Sequence, residues 1–191
     1  VIDDIRLFWT DLETTGLNPD AGEILEVGCV VTDRHFTELA VHHEVVGHDM
    51  DHLAPLMDAW VTKTHGESGL IAECQAVREL AAGRDLVADA MANLKEFMVA
   101  NMKSSMPGNN YMAGSSVHFD ARWLRAKGFD MRLLSYRLLD VSALMVASEC
   151  ITGQAMPKKA KPAHRVLADI ADSLVLMKHF ARHGLAYAGQ P

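Results

Sequence analysis

Apolar side chains dominate residues 5–11, 23–33 and 39–46, and the Val, Ile and Leu content of these runs predicts three successive strands. The turn-forming Asn18-Pro19-Asp20-Ala21-Gly22 separates the first two, and connections this short predict an antiparallel meander. Further along, Val87, Ala90, Met91, Leu94, Phe97 and Met98 recur at three- and four-residue spacing, which describes one apolar stripe on a helix. Leu167, Ile170, Ala171, Leu174 and Met177 describe another. Residues 111–114 read as a short buried strand, and 120–127 and 142–150 as helices. No repeat or internal boundary interrupts this order, so the chain, 1–191, is expected to form a single domain. The one linker-like stretch is 151–162, with Gly153, Pro157 and Pro162. Its lysines Lys158, Lys159 and Lys161 lie just before His164, so it reads either as a solvated loop or as a flap over a site.

Two carboxylates, Asp11 and Glu13, stand one residue apart where the first apolar run ends, and the extended chain carries on through them. Residues i and i+2 of a strand share a face, so both side chains point into one small volume. Two anions held together are costly unless a cation sits between them, and a hard divalent ion with oxygen ligands is the usual solution. Taken alone, Asp-x-Glu is common at solvated strand ends. Its companions are Gly114-Ser115-Ser116-Val117-His118-Phe119-Asp120 and His164-Arg165-Val166-Leu167-Ala168-Asp169. Together the three segments supply a set of metal ligands and, in His164, a candidate base.

Composition narrows the setting. With 191 residues and 49% hydrophobic content the chain suits one domain with a sizeable core and excludes a disordered one. Its formal charge of −7 argues against a protein that grips long nucleic acid through many phosphates. A short substrate with few phosphates fits better. The three cysteines, Cys29, Cys74 and Cys150, are widely spaced, which points to a reducing compartment rather than a zinc site or disulfide framework. No basic region followed by an apolar stretch opens the sequence and no apolar run reaches spanning length, so a cytoplasmic protein without a membrane segment is expected.

Four blocks carry a more specific likeness. They are Asp11-Leu-Glu-Thr-Thr-Gly-Leu17; Leu56-Met-Asp-Ala-Trp60 with Thr64-His65 and Ser68-Gly-Leu70; Tyr136-Arg-Leu-Leu-Asp-Val-Ser142; and His164-Arg-Val-Leu-Ala-Asp169. In this order the chain resembles the 3′-to-5′ exonucleases of ribonuclease-H-like fold that carry four acidic residues and a histidine, and more narrowly the oligoribonucleases. The likeness runs from about residue 6 to residue 184. It implies an α/β fold whose mixed sheet contains the antiparallel three-strand meander and is flanked by helices. Two departures stand out: Thr14 where many relatives place Met, and Gly-Ser-Ser at 114–116 where Gly-Asn-Ser is more typical.

The resemblance implies an exoribonuclease that degrades short oligoribonucleotides, with dinucleotides expected, to nucleoside 5′-monophosphates. Two divalent ions roughly 3.5–4 Å apart activate water and stabilise the leaving oxygen in such chemistry. Asp11, Glu13, Asp120 and Asp169 are assigned to them, Asp11 bridging, and oxygen-only ligation points to Mg²⁺ or Mn²⁺. His164 is assigned as general base, because an imidazole with an unperturbed pKa of about 6.5 accepts a proton at neutral pH. The likeness further implies that Leu17, Trp60 and His65 pack against terminal bases, although Trp60 reads almost equally well as core. Ser116, Arg137 and Ser142 take the places of residues that cap a 5′ phosphate. Tyr136 takes that of a residue reaching across a homodimer interface. His118 is read as a neighbour of the site and Asp172 as a helix-surface or supporting group. His42, His43, His48 and His52 show no acidic partner pattern. A general single-strand or proofreading-type DNA exonuclease would use the same chemistry, and a catalytically silent nucleotide-binding protein is the third reading.

Overall fold

The computed structural model describes residues 5–81, 83–103, 107–153 and 164–183. Five strands, β1 (Arg6–Thr14), β2 (Ile24–Thr32), β3 (Glu38–Val45), β4 (Asn110–Gly114) and β5 (Leu138–Asp140), form one sheet in the order β3-β2-β1-β4-β5. The expected meander is present: β2 is antiparallel to both β1 and β3, whereas β4 runs parallel to β1 and β5 parallel to β4. The α/β mixed sheet flanked by helices therefore stands as read from the sequence.

Seven helices accompany it among the described residues: α1 (Met50–Leu53), α2 (Ala59–Glu67), α3 (Leu70–Leu80), α4 (Leu86–Asn101), α5 (His118–Ala126), α6 (Val141–Thr152) and α7 (Val166–His183). Period-two alternation in β1 divides the core in two. Phe8 and Leu12 face a cluster completed by Ala90, Leu94 and Met98 of α4 and by Ala121 and Leu124 of α5. Leu7 and Trp9 face the other way, onto Val141 of α6 and Ile170 and Phe180 of α7. The Trp9 indole N–H donates to Thr32 Oγ1 at 3.0 Å, so the ring's polar edge is satisfied inside the core.

Asp11 and Glu13 continue the Leu7–Trp9 face past the last apolar position, so the fold hands them to α7. On β2 the same face presents Gly28 opposite Asp11 and Glu26 opposite Glu13. A Cβ at Gly28 would lie 2.7 Å from Val166 Cβ and 2.6 Å from its Cγ2, so glycine here lets the first turn of α7 lie directly on the sheet. β4 stops pairing with β1 at Trp9 and Ala113. Beyond that point the β1 backbone is open to α5.

The helices α1 to α3 and the strand β5 were not expected from the sequence. Residues 151–152 belong to α6, which Gly153 closes in the left-handed conformation at φ 69°, so the linker begins later than its composition suggests. Lys158, Lys159 and Lys161, and with them the proposed flap, lie outside the described residues. No helix among the described residues is long and apolar enough to cross a membrane.

Candidate active site

Three carboxylates meet at the end of β1. Asp11, Glu13 and Asp169 each offer an oxygen such that all lie within 4.8 Å of one another. Asp169 reaches them from the first turn of α7, its own N–H bonded to the Arg165 carbonyl at 3.1 Å. Asp120 falls outside that set and approaches from the other side of the sheet. Its Oδ1 accepts the Leu12 N–H at 3.0 Å, between the two β1 carboxylates and beyond the end of β4. Burial pushes Glu13 from its ordinary 4.5 up to about 8, reinforced by the charge of Asp11 and then of Asp169 and Glu26. Burial, then Asp11, also holds Asp120 well above the usual carboxylate range. Anions pressed together in this way call for a cation, and a donor set made only of carboxylate oxygens suits a hard divalent ion.

His164, two residues before α7, has φ at 50°, a left-handed backbone that a side chain rarely adopts. Ser116 is in the same region at φ 54°. Two candidate site residues therefore hold unfavourable conformations that their surroundings must maintain. The Trp60 ring meets the His164 ring edge to face, with centroids 5.4 Å apart. Trp60 is 62% exposed and Leu17 79% exposed, so neither packs in the core. Both border a cavity of about 260 Å³ that is also lined by Leu12, Glu13, Val61, His65 and Phe119. Arg122 donates to the Leu17 carbonyl and lies over the Phe119 ring, which fixes the loop bearing Leu17. His65 is buried: its Nε2–H donates to the Thr14 carbonyl at 3.1 Å, and burial lowers its pKa below 6.5. It supports the cavity from behind rather than presenting a free ring. A larger cleft of about 480 Å³ lies elsewhere, around His48, His52, Arg78 and Lys127, and includes none of the four acidic residues.

A second polar group gathers where β4 and β5 end. Asp140 Oδ1 accepts the N–H groups of both Ser116 and Ser142 at 2.9 Å, which turns the two hydroxyls toward each other at 3.2 Å. His118 Nδ1 lies 3.6 Å from Asp140 Oδ2 with its ring largely exposed. Arg137 and Tyr136 are exposed neighbours, the guanidinium carbon 5.1 Å from the centre of the Tyr136 ring. Tyr136 itself is 82% exposed. Asp172, three residues beyond Asp169, is half-buried on α7.

The sequence reading missed Glu26. It is 1% exposed on β2, and His43, whose surrounding sequence shows no acidic partner pattern, lies 2.6 Å from it through Nε2. His42 also has one, Glu44, at 3.7 Å. Strand register explains the first, because Gly28 pairs with His43 and so sets Glu26 two residues along β2, a relation that no local spacing shows; the second is an i, i+2 pair on one face of β3. Ser115, one of the two departures, bonds Ser173 Oγ at 2.9 Å, and Ser173 donates to the Asp169 carbonyl at 2.9 Å.

The RNase_T exonuclease family model matches residues 8–177. The oligoribonuclease of Neisseria meningitidis serogroup C is 33% identical over 186 residues, covering 96% of this chain and 94% of that protein. The oligoribonuclease of Nitrosomonas europaea is 35% identical over 187 residues, covering 95% and 96%. In fold, the chain is similar to the zinc-bound form of Escherichia coli exonuclease I in complex with single-stranded DNA, with a TM-score of 0.66 at 14% identity. It is also similar to exonuclease I of Methylocaldum szegediense, with a TM-score of 0.67 at 14% identity. The chain spans 41% of the length of each of these two exonucleases.

Proposed function

Because this chain belongs to the oligoribonucleases of the RNase_T exonuclease family, we propose that it removes nucleotides from the 3′ end of short RNA, dinucleotides foremost. The observation that carries this reading is the convergence of Asp11, Glu13 and Asp169, with Asp120 beside them, next to a cavity rimmed by exposed Leu17 and Trp60.

Asp11, Glu13, Asp120 and Asp169 would hold Mg²⁺ or Mn²⁺, and two such ions, when bound, supply charge stabilisation for the attacking and leaving oxygens. His164 accepts the proton of the water whose oxygen bonds to phosphorus, while the bond from phosphorus to the 3′ oxygen breaks. A nucleoside 5′-monophosphate leaves. Leu17 and Trp60 hold the bases by apolar contact and stacking, which tolerate any sequence, and His65 stiffens the wall beneath them. Ser116, Ser142 and Arg137 receive the 5′ phosphate. Asp140 supports this role by orienting both hydroxyls from behind. Tyr136 reaches the substrate of a second copy in a homodimer, a role that its 82% exposure supports. A cytoplasmic location, expected from the three cysteines, belongs to the same proposal.

The test is degradation of 5′-labelled RNA and DNA dinucleotides of equal sequence with Mg²⁺ or Mn²⁺, and again in excess chelator. Metal-dependent release of 5′-monophosphate, faster from RNA, is the expected result. Full turnover in chelator would overturn the metal site, and faster loss of DNA would favour a DNA exonuclease.

A further inference from the structure

Between His164 and Asp169 lies Arg165, the most heavily tied side chain near the site. Its Nε donates to Glu26 Oε1 and Oε2 at 3.0 and 3.2 Å. Its two terminal nitrogens donate to the two oxygens of Glu73 at 2.9 and 2.8 Å. Glu26 in turn accepts the Val166 N–H at 3.3 Å, so a strand carboxylate receives a backbone donor at the start of α7. His43 closes the cluster from β3. One guanidinium thus pins the beginning of α7 to β2 on one side and to α3 on the other, immediately after a residue held at φ 50°.

The purpose of this arrangement is not explained by stability alone. Glu26, at 1% exposure and paired across β1 and β2 with Glu13, is one more acidic group acting on Glu13 beside a cluster that already repels itself. An apolar residue at that position would pack on Val166 without this cost. What the carboxylate provides is direction: a forked, planar partner for Arg165 that fixes the chain at the point where His164 leaves it.

We propose that Arg165, clamped between Glu26 and Glu73, is a positioning residue that holds the His164 imidazole over the carboxylate cluster. This rests on His164 acting as the base. A loss of grip displaces the imidazole without removing it, and misplacement by about 1 Å can lower turnover about a hundredfold.

The experiment compares Arg165→Gln, Arg165→Lys and Glu73→Gln in the unaltered and the His164→Ala backgrounds, at saturating divalent metal. Glu73→Gln removes only the exposed arm of the clamp, so it remains informative if Arg165→Gln does not fold. In the unaltered background Arg165→Gln should lower kcat roughly 10- to 100-fold with KM within about twofold. Arg165→Lys should recover only part, because one ammonium cannot serve both carboxylates in fork geometry. Glu73→Gln should lower kcat in the same direction but less. In the His164→Ala background both Gln substitutions should cost under about twofold more, because the group they position is gone. Equal fold losses with and without the imidazole, or unchanged kcat in both Gln variants, would overturn the clamp. Wild-type kcat in His164→Ala alone would instead overturn the base on which it rests.

Discussion

Asp120 and Glu13 sit in the acidic cluster as groups that the fold tolerates rather than favours. Burial and like charge raise both carboxyls, so neither is there for stability. Asp120→Asn should therefore abolish turnover while leaving the thermal transition as high as before or higher, as calorimetry would show. A fall of many degrees would mean that the carboxylate is structural. His164→Ala should lower kcat by roughly 10²–10⁴ with substrate affinity largely kept, a split that single-turnover kinetics resolves. His48 gives a pH effect away from this chemistry. Burial lowers its pKa below 6.5, outweighing its 2.7 Å bond to the Ile24 carbonyl. The folded state thus resists a proton that the unfolded chain accepts, so this contribution is intact above pH 6.5 and is lost as pH falls through the depressed pKa. Urea midpoints should drop less between pH 7.5 and 5.5 in His48→Gln than in the unaltered protein; equal drops would contradict this. At this scale the sequence displayed the carboxylates and His164 plainly, because each sits in a compact local pattern. It left Trp60 divided between core and surface, since an isolated aromatic carries no local sign of which side of a helix is covered.

Elements decide how these residues meet. β1 delivers Asp11 and Glu13 to one face by simple alternation, and Gly28 opposite them lets α7 approach closely enough to bring in Asp169. Gly28→Ala would place a methyl group within 2.7 Å of Val166 Cβ and lift the first turn of α7. Overpacking of this kind costs about 1–3 kcal/mol. The metal concentration for half-maximal activity should rise as Asp169 withdraws, and denaturation and metal titration together check it. An unchanged metal requirement would mean that α7 is not registered through Gly28. The strands of the meander and the stripes of α4 and α7 were legible because each repeats its period several times. α2 and α3 were not, since each buries only two side chains, Val61 with His65 and Leu70 with Cys74. β5 is three residues long, too short for any period to register. The Glu26–Arg165 pair spans 139 positions and joins a strand to the residue just before a helix, so its only sequence trace was one acidic residue in an apolar strand.

As a whole, the molecule carries a formal charge of −7 and displays an exposed Arg137 just before β5 and two paired hydroxyls, Ser116 and Ser142, where β4 and β5 end. If Ser116, Ser142 and Arg137 receive a 5′ phosphate as proposed, a short RNA engages that cap and the metal site at once, whereas a longer chain must run past the cap over an acidic body that gives it little attraction. Light scattering should report a dimer at assay concentrations, and a fully active monomer would remove the role given to Tyr136. The most direct measurement is the dissociation constant of 5′-phosphorylated RNAs from two to about twenty nucleotides, taken with Asp120→Asn so that binding is read without cleavage, and repeated with Arg137→Ala added. The dinucleotide should bind roughly 10- to 100-fold tighter than the longest RNA, as expected for charge-assisted bonds to a terminal phosphate, and Arg137→Ala should erase most of that difference. Tighter binding of the longest RNA, or an equal loss at every length, would contradict the account.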